Sequence, residues 1–170
     1  ERLDVRGRFT SLLVLGALFA ALSAVVTIYL RVLIVGGKIS FNLGEGIIYL
    51  SAILMGRWVA LAAGGIGSAL ADLLAGPSIW TPFTLVIKAA EGFVVGTLAS
   101  GKVGRKEWLK AILPGAAVMI IGYFLSALVI LKWPGALYEF VTDVVQCTVG
   151  AVLALLLADP LRRQISLLQK

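Results

Sequence analysis

FNLGEGIIYLSAILMGRWVALAAGGIGSALADLLAGPSIWTPFTLVIKAAEGFVVG, residues 41–96, consists almost throughout of residues suited to hydrocarbon, yet it carries Asn42, Glu45, Asp72, Lys88 and Glu91. Ionisable groups at membrane depth are costly, so where they persist they mark a functional site or pair with one another. The apolar background of the stretch points to the fold class, and its polar exceptions point to where the function sits.

Beyond this stretch the same composition continues. With 60% hydrophobic residues, 14% charged residues and a mean hydropathy of +1.02 over 170 positions, the chain belongs among multi-span membrane proteins and leaves no soluble domain of comparable size. At about 20 residues per crossing, this length holds about six helices. The sequence predicts an all-α integral membrane protein: a compact six-helix bundle, one membrane domain over residues 1–170, with spans at 9–30, 45–55, 58–74, 82–100, 110–131 and 138–159. The second span is too short to cross a bilayer as an apolar run. Such a helix is tolerated where it lines a cavity, so it is expected to face the interior, with a tight turn at Met55-Gly56-Arg57-Trp58 leading into the third.

Basic residues near span ends stay on the cytoplasmic side. Arg2, Arg6 and Arg8, then Arg57, then Lys102, Arg105, Lys106 and Lys110, then Arg162, Arg163 and Lys170 fall on one face, eleven of the fifteen basic residues. Arg31, Lys38 and Lys132 fall on the other, and Lys88 lies within a span. Both termini are therefore predicted to be cytoplasmic. The net charge of +6 is explained by topology in a lipid bilayer, with no nucleic-acid partner. The first span, preceded by arginines, has the outline of a signal peptide, but its length and the lack of a small-residue cleavage motif favour a retained helix. There is no histidine, and Cys147 is the one cysteine, so zinc and redox chemistry are not expected; neither a metal nor a cofactor is predicted.

Three connections fall on the predicted outer face: 31–44, 75–81 and 133–137. The first contains Gly36-Gly37 and then alternates through Lys38, Ile39, Ser40, Phe41, Asn42 and Leu43 as a short strand or hairpin does. The second holds Gly76-Pro77 and Trp80, and the third begins Trp133-Pro134-Gly135. Together they are expected to form a lid over an outward pocket, although Trp80 and Trp133 also suit an interfacial aromatic belt.

The polar residues support two readings each. Lys88 and Glu91, three apart on one helical face, either pair to fix helix orientation or contact a ligand. Asp72 is placed to join Lys88 as a second carboxylate or to pin the Gly76-Pro77 loop. Asn42 suits a helix cap and Glu45 a favourable first-turn charge, with Tyr49 one turn further on. Tyr123 and Tyr138 come from the last two helices, and Glu139, Asp143 and Gln146 share one helical face.

The pattern resembles the substrate-binding S components of energy-coupling factor (ECF) transporters, in the branch that carries riboflavin, hydroxymethylpyrimidine and pyridoxamine. The resemblance rests on Asn42-Leu43-Gly44-Glu45, on Gly64-Gly65-Ile66-Gly67-Ser68-Ala69-Leu70-Ala71-Asp72-Leu73-Leu74, on Thr81-Pro82-Phe83-Thr84 with Ile87-Lys88-Ala89-Ala90-Glu91-Gly92, on Gly122-Tyr123-Phe124, and on Gln146 with Gly150. It implies a non-enzymatic subunit in the cytoplasmic membrane of a bacterium or archaeon. Such a subunit captures a water-soluble vitamin or vitamin precursor at the outer face and delivers it with a transmembrane coupling subunit and two ATPases. The chain itself has no Gly-x-x-x-x-Gly-Lys-Ser/Thr phosphate loop.

The resemblance also implies a substrate-binding set of Asn42, Glu45, Tyr49, Asp72, Trp80, Lys88, Glu91, Tyr123, Trp133, Glu139, Asp143 and Gln146. It gives Ala17, Ala20, Ala21 and Ala24, two overlapping Ala-x-x-x-Ala pairs, the role of a docking face for the coupling subunit, since small residues let helices approach closely in lipid. Several relatives have asparagine where Asp143 stands, so this chain carries an extra potential negative charge. Glu45, Glu139 and Asp143 suit a protonated amine or a hydrogen-bond-donating ring, which favours a pyrimidine or pyridine precursor over riboflavin. Against this reading stand a small intramembrane lipid-modifying enzyme and a non-catalytic scaffold. The enzyme lacks a carboxylate-rich metal motif, because Asp72, Asp143 and Asp159 are scattered; the scaffold has no need of the polar cluster.

Overall fold

The structure, a computed structural model, describes residues 2–34, 39–76 and 78–168. The described residues form six helices: α1 (Arg2–Tyr29), α2 (Gly44–Met55), α3 (Arg57–Ala75), α4 (Thr81–Ala99), α5 (Arg105–Ile130) and α6 (Lys132–Leu168). Five are long and apolar enough to cross a membrane, and α2 is the exception. Its 12 residues extend about 18 Å at 1.5 Å per residue, well short of a hydrocarbon core of roughly 30 Å. As expected of a short helix at membrane depth, α2 is the interior column: nine of its twelve residues are buried, and it packs against α1, α4 and α6. Ile48, Tyr49, Leu50, Ala52 and Ile53 meet a wall of mostly small residues, among them Ala60, Ala99, Ala111, Ala151 and Ala154. On the bundle's outside, Leu13, Val14, Leu18, Val129 and Leu156 are exposed, as suits helices whose solvent is lipid.

The alternation before α2 is a hairpin. β1 (Val32–Ile34) pairs antiparallel with β2 (Ile39–Phe41), Val32 opposite Phe41. The expected turn residues Gly36 and Gly37, and also Lys38, Pro77 and Lys170, lie outside the described residues. The turn between α2 and α3 is as tight as predicted, with Gly56 at φ 88°, a conformation that favours glycine.

Inside α3, Ala62–Gly67 forms a π-helical turn. Such turns are rare and frequent at functional sites. The glycines here let backbones touch: a Cβ on Gly64 would run into the carbonyl of Lys88, and one on Gly67 would lie 2.6 Å from the carbonyl of Ala20. From the other side, a Cβ on Gly92 would strike the carbonyl of Ala60. α4 is thus pressed directly onto α3, and the segment bearing Lys88 and Glu91 is held at the centre of the bundle.

The third expected connection does not exist as a loop. After Leu131, Lys132 adopts φ 65° and the chain turns straight into α6, so Trp133, Pro134, Gly135 and Leu137 lie in its first turns. Pro134 reads as a breaker in sequence, but in a first turn its missing N–H has no partner to lose and its fixed φ suits the helix. α5 likewise starts at Arg105 and α6 runs on to Leu168, both beyond their apolar cores at 110–131 and 138–159.

Candidate substrate-binding site

At the hairpin end of the bundle, α2, α4, α5 and α6 bring together the ionisable residues that the sequence scatters over a hundred positions. Lys88 is the centre. Buried on α4, its ammonium pairs with Glu45 of α2 and, at 3.3 Å, with Glu91 one turn along its own helix. It also donates to Met119 Sδ at 2.9 Å and lies 5.5 Å from the centre of the Tyr123 ring. Tyr49 donates its hydroxyl to Glu91 Oε1 at 2.7 Å, and Gln146 of α6 donates through Nε2 to Glu45 Oε1 at 3.0 Å. Apart from the Lys88–Glu91 pair, each of these contacts closes across two helices, so the network fixes their rotation as well as neutralising charge.

Gln146 also ties the hairpin to the site: its Oε1 accepts the backbone N–H of Asn42 at 2.8 Å. The Asn42 side chain accepts from the Gly44 N–H at 2.9 Å and from Thr27 at 3.4 Å, anchoring the chain where it enters α2. The N-cap position of α2 is Leu43, not the Asn42 that the sequence suggested, and Asn42 instead makes a local side-chain turn just ahead of the helix. Gly150 on α6 lets the main chain beside Glu45 approach closely, since a Cβ there would lie 3.0 Å from the Glu45 carbonyl carbon.

On the same face of α6 as Gln146 stand Glu139 and Asp143, both buried. Their Oε2 and Oδ2 atoms are sealed from solvent and accept no hydrogen bond, as is also true of Glu45 Oε2. Tyr123 completes the enclosure, donating to Thr84 Oγ1 at 3.0 Å with Trp80 packed 6.2 Å from its ring centre.

Of the twelve residues expected at the site, two stand apart. Asp72 pairs with Arg31 at 2.7 Å instead of with Lys88, which pins the start of the hairpin to the end of α3. Trp133 is 65% exposed and packs edge-on against Phe124, on the outer flank of α5 and α6, because its place in the helix turns it outward. Tyr138, one residue from Glu139, also faces outward. The reading of the sequence missed Arg31, Thr84 and Met119. Thr84 lies four residues before Lys88 and Met119 four before Tyr123, so helical spacing alone could have found both.

The four α1 alanines divide between two faces. Ala20 and Ala24 are buried within the bundle, whereas Ala17 and Ala21 are exposed. Ala17, Ala20 and Ala21 border an apolar groove of about 620 Å³ between α1 and α3, flanked by Leu13, Trp58 and Ile66.

An apolar multi-helix bundle with a buried set of charged side chains at one end, five of its helices long and apolar enough to cross a membrane, has the make-up of a multi-pass membrane protein. The chain belongs to the ECF-type riboflavin transporter S component family, whose profile matches residues 9–163. It is therefore a subunit of a transporter in a prokaryotic cytoplasmic membrane, not an enzyme. It is 40% identical over 129 residues to an uncharacterized protein in the gap 3' region of Pyrococcus woesei, covering 76% of this chain and 86% of that protein. It is 33% identical over 116 residues to the thiamine precursor transporter HmpT of Lactococcus lactis, covering 68% of this chain and 66% of that protein.

Proposed function

We propose that this chain binds a water-soluble vitamin or vitamin precursor at the hairpin end of the bundle and hands it to an ECF module made of a transmembrane coupling subunit and two ATPases. The observation that carries the reading is the buried set of Lys88, Glu45, Glu91, Glu139, Asp143 and Gln146, gathered from three helices of a bundle that otherwise needs no charge. The single membrane domain is oriented with both termini in the cytoplasm, because Arg57, Lys102, Arg105, Lys106 and Arg162 lie at the end opposite the hairpin. The hairpin, tethered through Asn42 and Arg31, then covers the site from the outside.

The closed network of Lys88, Glu45, Glu91 and Tyr49 forms the floor of the site, and Tyr123 and Trp80 offer aromatic surface for a flat heterocycle. That one curated relative is a thiamine precursor transporter supports a pyrimidine-type substrate. Docking falls to Ala17 and Ala21, the two of the four that are exposed, beside the groove between α1 and α3.

Mass spectrometry of small molecules released on denaturing the detergent-purified protein tests the binding half, with a near-stoichiometric vitamin or precursor as the expected result. Recovery of phospholipid alone would defeat it. For the docking half, Ala17→Trp or Ala21→Trp is expected to leave substrate binding intact while abolishing co-purification with the coupling subunit. Undiminished complex formation by both variants would place the docking face elsewhere.

A further inference from the structure

We propose that Glu139 and Asp143 form a subsite that selects a ring bearing an amino group over the same ring bearing a hydroxyl or carbonyl there. The inference rests on the reading of the chain as a carrier of vitamin-type heterocycles. It starts from a division among the buried carboxylates. Glu91 and the Oε1 atom of Glu45 are answered within the protein, by Lys88, Tyr49 and Gln146, although Glu45 Oε2 is not. Glu139 and Asp143 have no such donors, and an oxygen of each is sealed from solvent without a partner. Four buried carboxylates surround one ammonium, a formal excess of three negative charges, and Lys88 is the only cation among the described residues that is buried.

Burying a polar group with no hydrogen bond costs free energy, and burying a charge costs more. Glu139 and Asp143 are one helical turn apart on the face that also presents Gln146, so their unmet acceptors face the same side of α6 as the rest of the site. What meets them from outside the chain has to bring donors. A metal ion is disfavoured, because among the described residues no group of three or more His, Cys, Asp or Glu side chains is arranged to hold one. An ionised carboxylate is an acceptor only, so a ring carbonyl offers it nothing and a hydroxyl supplies one donor. An amino group supplies two or, when protonated, three together with a positive charge, and charge-assisted bonds are about twice as strong as neutral ones. The aromatic surface of Tyr123 and Trp80 provides for the ring that carries it.

The test is calorimetric titration of the detergent-purified full chain with two matched pairs and one flavin. The pairs are pyridoxamine against pyridoxine, and 4-amino-5-hydroxymethyl-2-methylpyrimidine against its 4-hydroxy counterpart; riboflavin is the flavin. The wild type is expected to prefer the amino member of at least one pair by about tenfold or more, as a site built around unmet polar groups does. Asp143→Asn and Glu139→Gln are each expected to bring that ratio close to unity, the amino member losing more affinity than the hydroxyl member. Both substitutions remove charge with little change of shape, and should one variant fail to fold, the other is decisive. A wild type without preference, or a preference that survives both substitutions, overturns the subsite. Binding of riboflavin with neither pair bound overturns it too, while leaving the carrier reading standing. Failure of all five compounds to bind overturns the subsite, and the carrier reading is then decided by the small molecules released from the denatured protein.

Discussion

The buried polar residues on α2 and α4 differ from those on α6 in how their charges are met. Glu45 and Tyr49 of α2 face Lys88 and Glu91 of α4, and their donors and acceptors largely satisfy each other. Glu139 and Asp143 point from α6 with sealed oxygens that nothing in the chain meets. The first group behaves as a fastening, in which removing a partner exposes an uncompensated charge. The second behaves as a receptor, in which the missing partner is external. The contrast teaches that a charged residue inside a membrane protein is not by itself evidence of ligand contact; what matters is whether its hydrogen bonds are already made.

The largest effect that would sharpen this contrast is expected from Lys88→Met. It strands Glu45 and Glu91 and should cost about 3–5 kcal/mol, seen as a sharply lower unfolding temperature in detergent and a loss of folded yield. Asp143→Asn measured alongside should unfold at or above the wild-type temperature, since it relieves an unmet charge. If the two variants are equally destabilised, the fastening and the receptor are a single network. Tyr49→Phe is the intermediate case: it removes the donor to Glu91 Oε1 and should cost about 1–3 kcal/mol by the same thermal measurement. A neutral Tyr49→Phe would mean that Glu91 is satisfied without it. The smallest effect belongs to Trp133→Ala, which gives up an edge contact with Phe124 worth roughly 0.5–1.5 kcal/mol. Substrate affinity in that variant should match the wild type, and a tenfold loss would return Trp133 to the site.

Much of the architecture was legible in the chain. Spans at 9–30, 58–74 and 82–100 lie within a residue or so of helical stretches in the structure, because long apolar runs bounded by Gly, Pro and charges have few alternatives. The hairpin was visible as alternation near Ser40 and Phe41. The start of α6 was not visible, because Trp133-Pro134-Gly135 has the composition of a turn and only the break at Lys132 makes Pro134 a first-turn residue. The partners of the charges were legible in part. Lys88 with Glu91 follows from a spacing of three, but Arg31 with Asp72 joins residues 41 apart and reflects how the hairpin folds back on α3. The outward turn of Ala17 and Ala21 against the inward turn of Ala20 and Ala24 likewise depends on which side of α1 meets α3.

By itself, then, the sequence determined that this is a helical membrane protein, which segments are long and apolar enough to cross, and which few polar residues interrupt them, since hydrocarbon penalises exposed backbone and charge wherever they occur. Only the tertiary structure decided which of those residues are spent on one another and which are left open. A hydrogen bond needs its donor and acceptor within about 3 Å, and across helices that distance is set by packing, which here brings Lys88 to Glu45 and leaves an oxygen each of Glu139 and Asp143 without a partner.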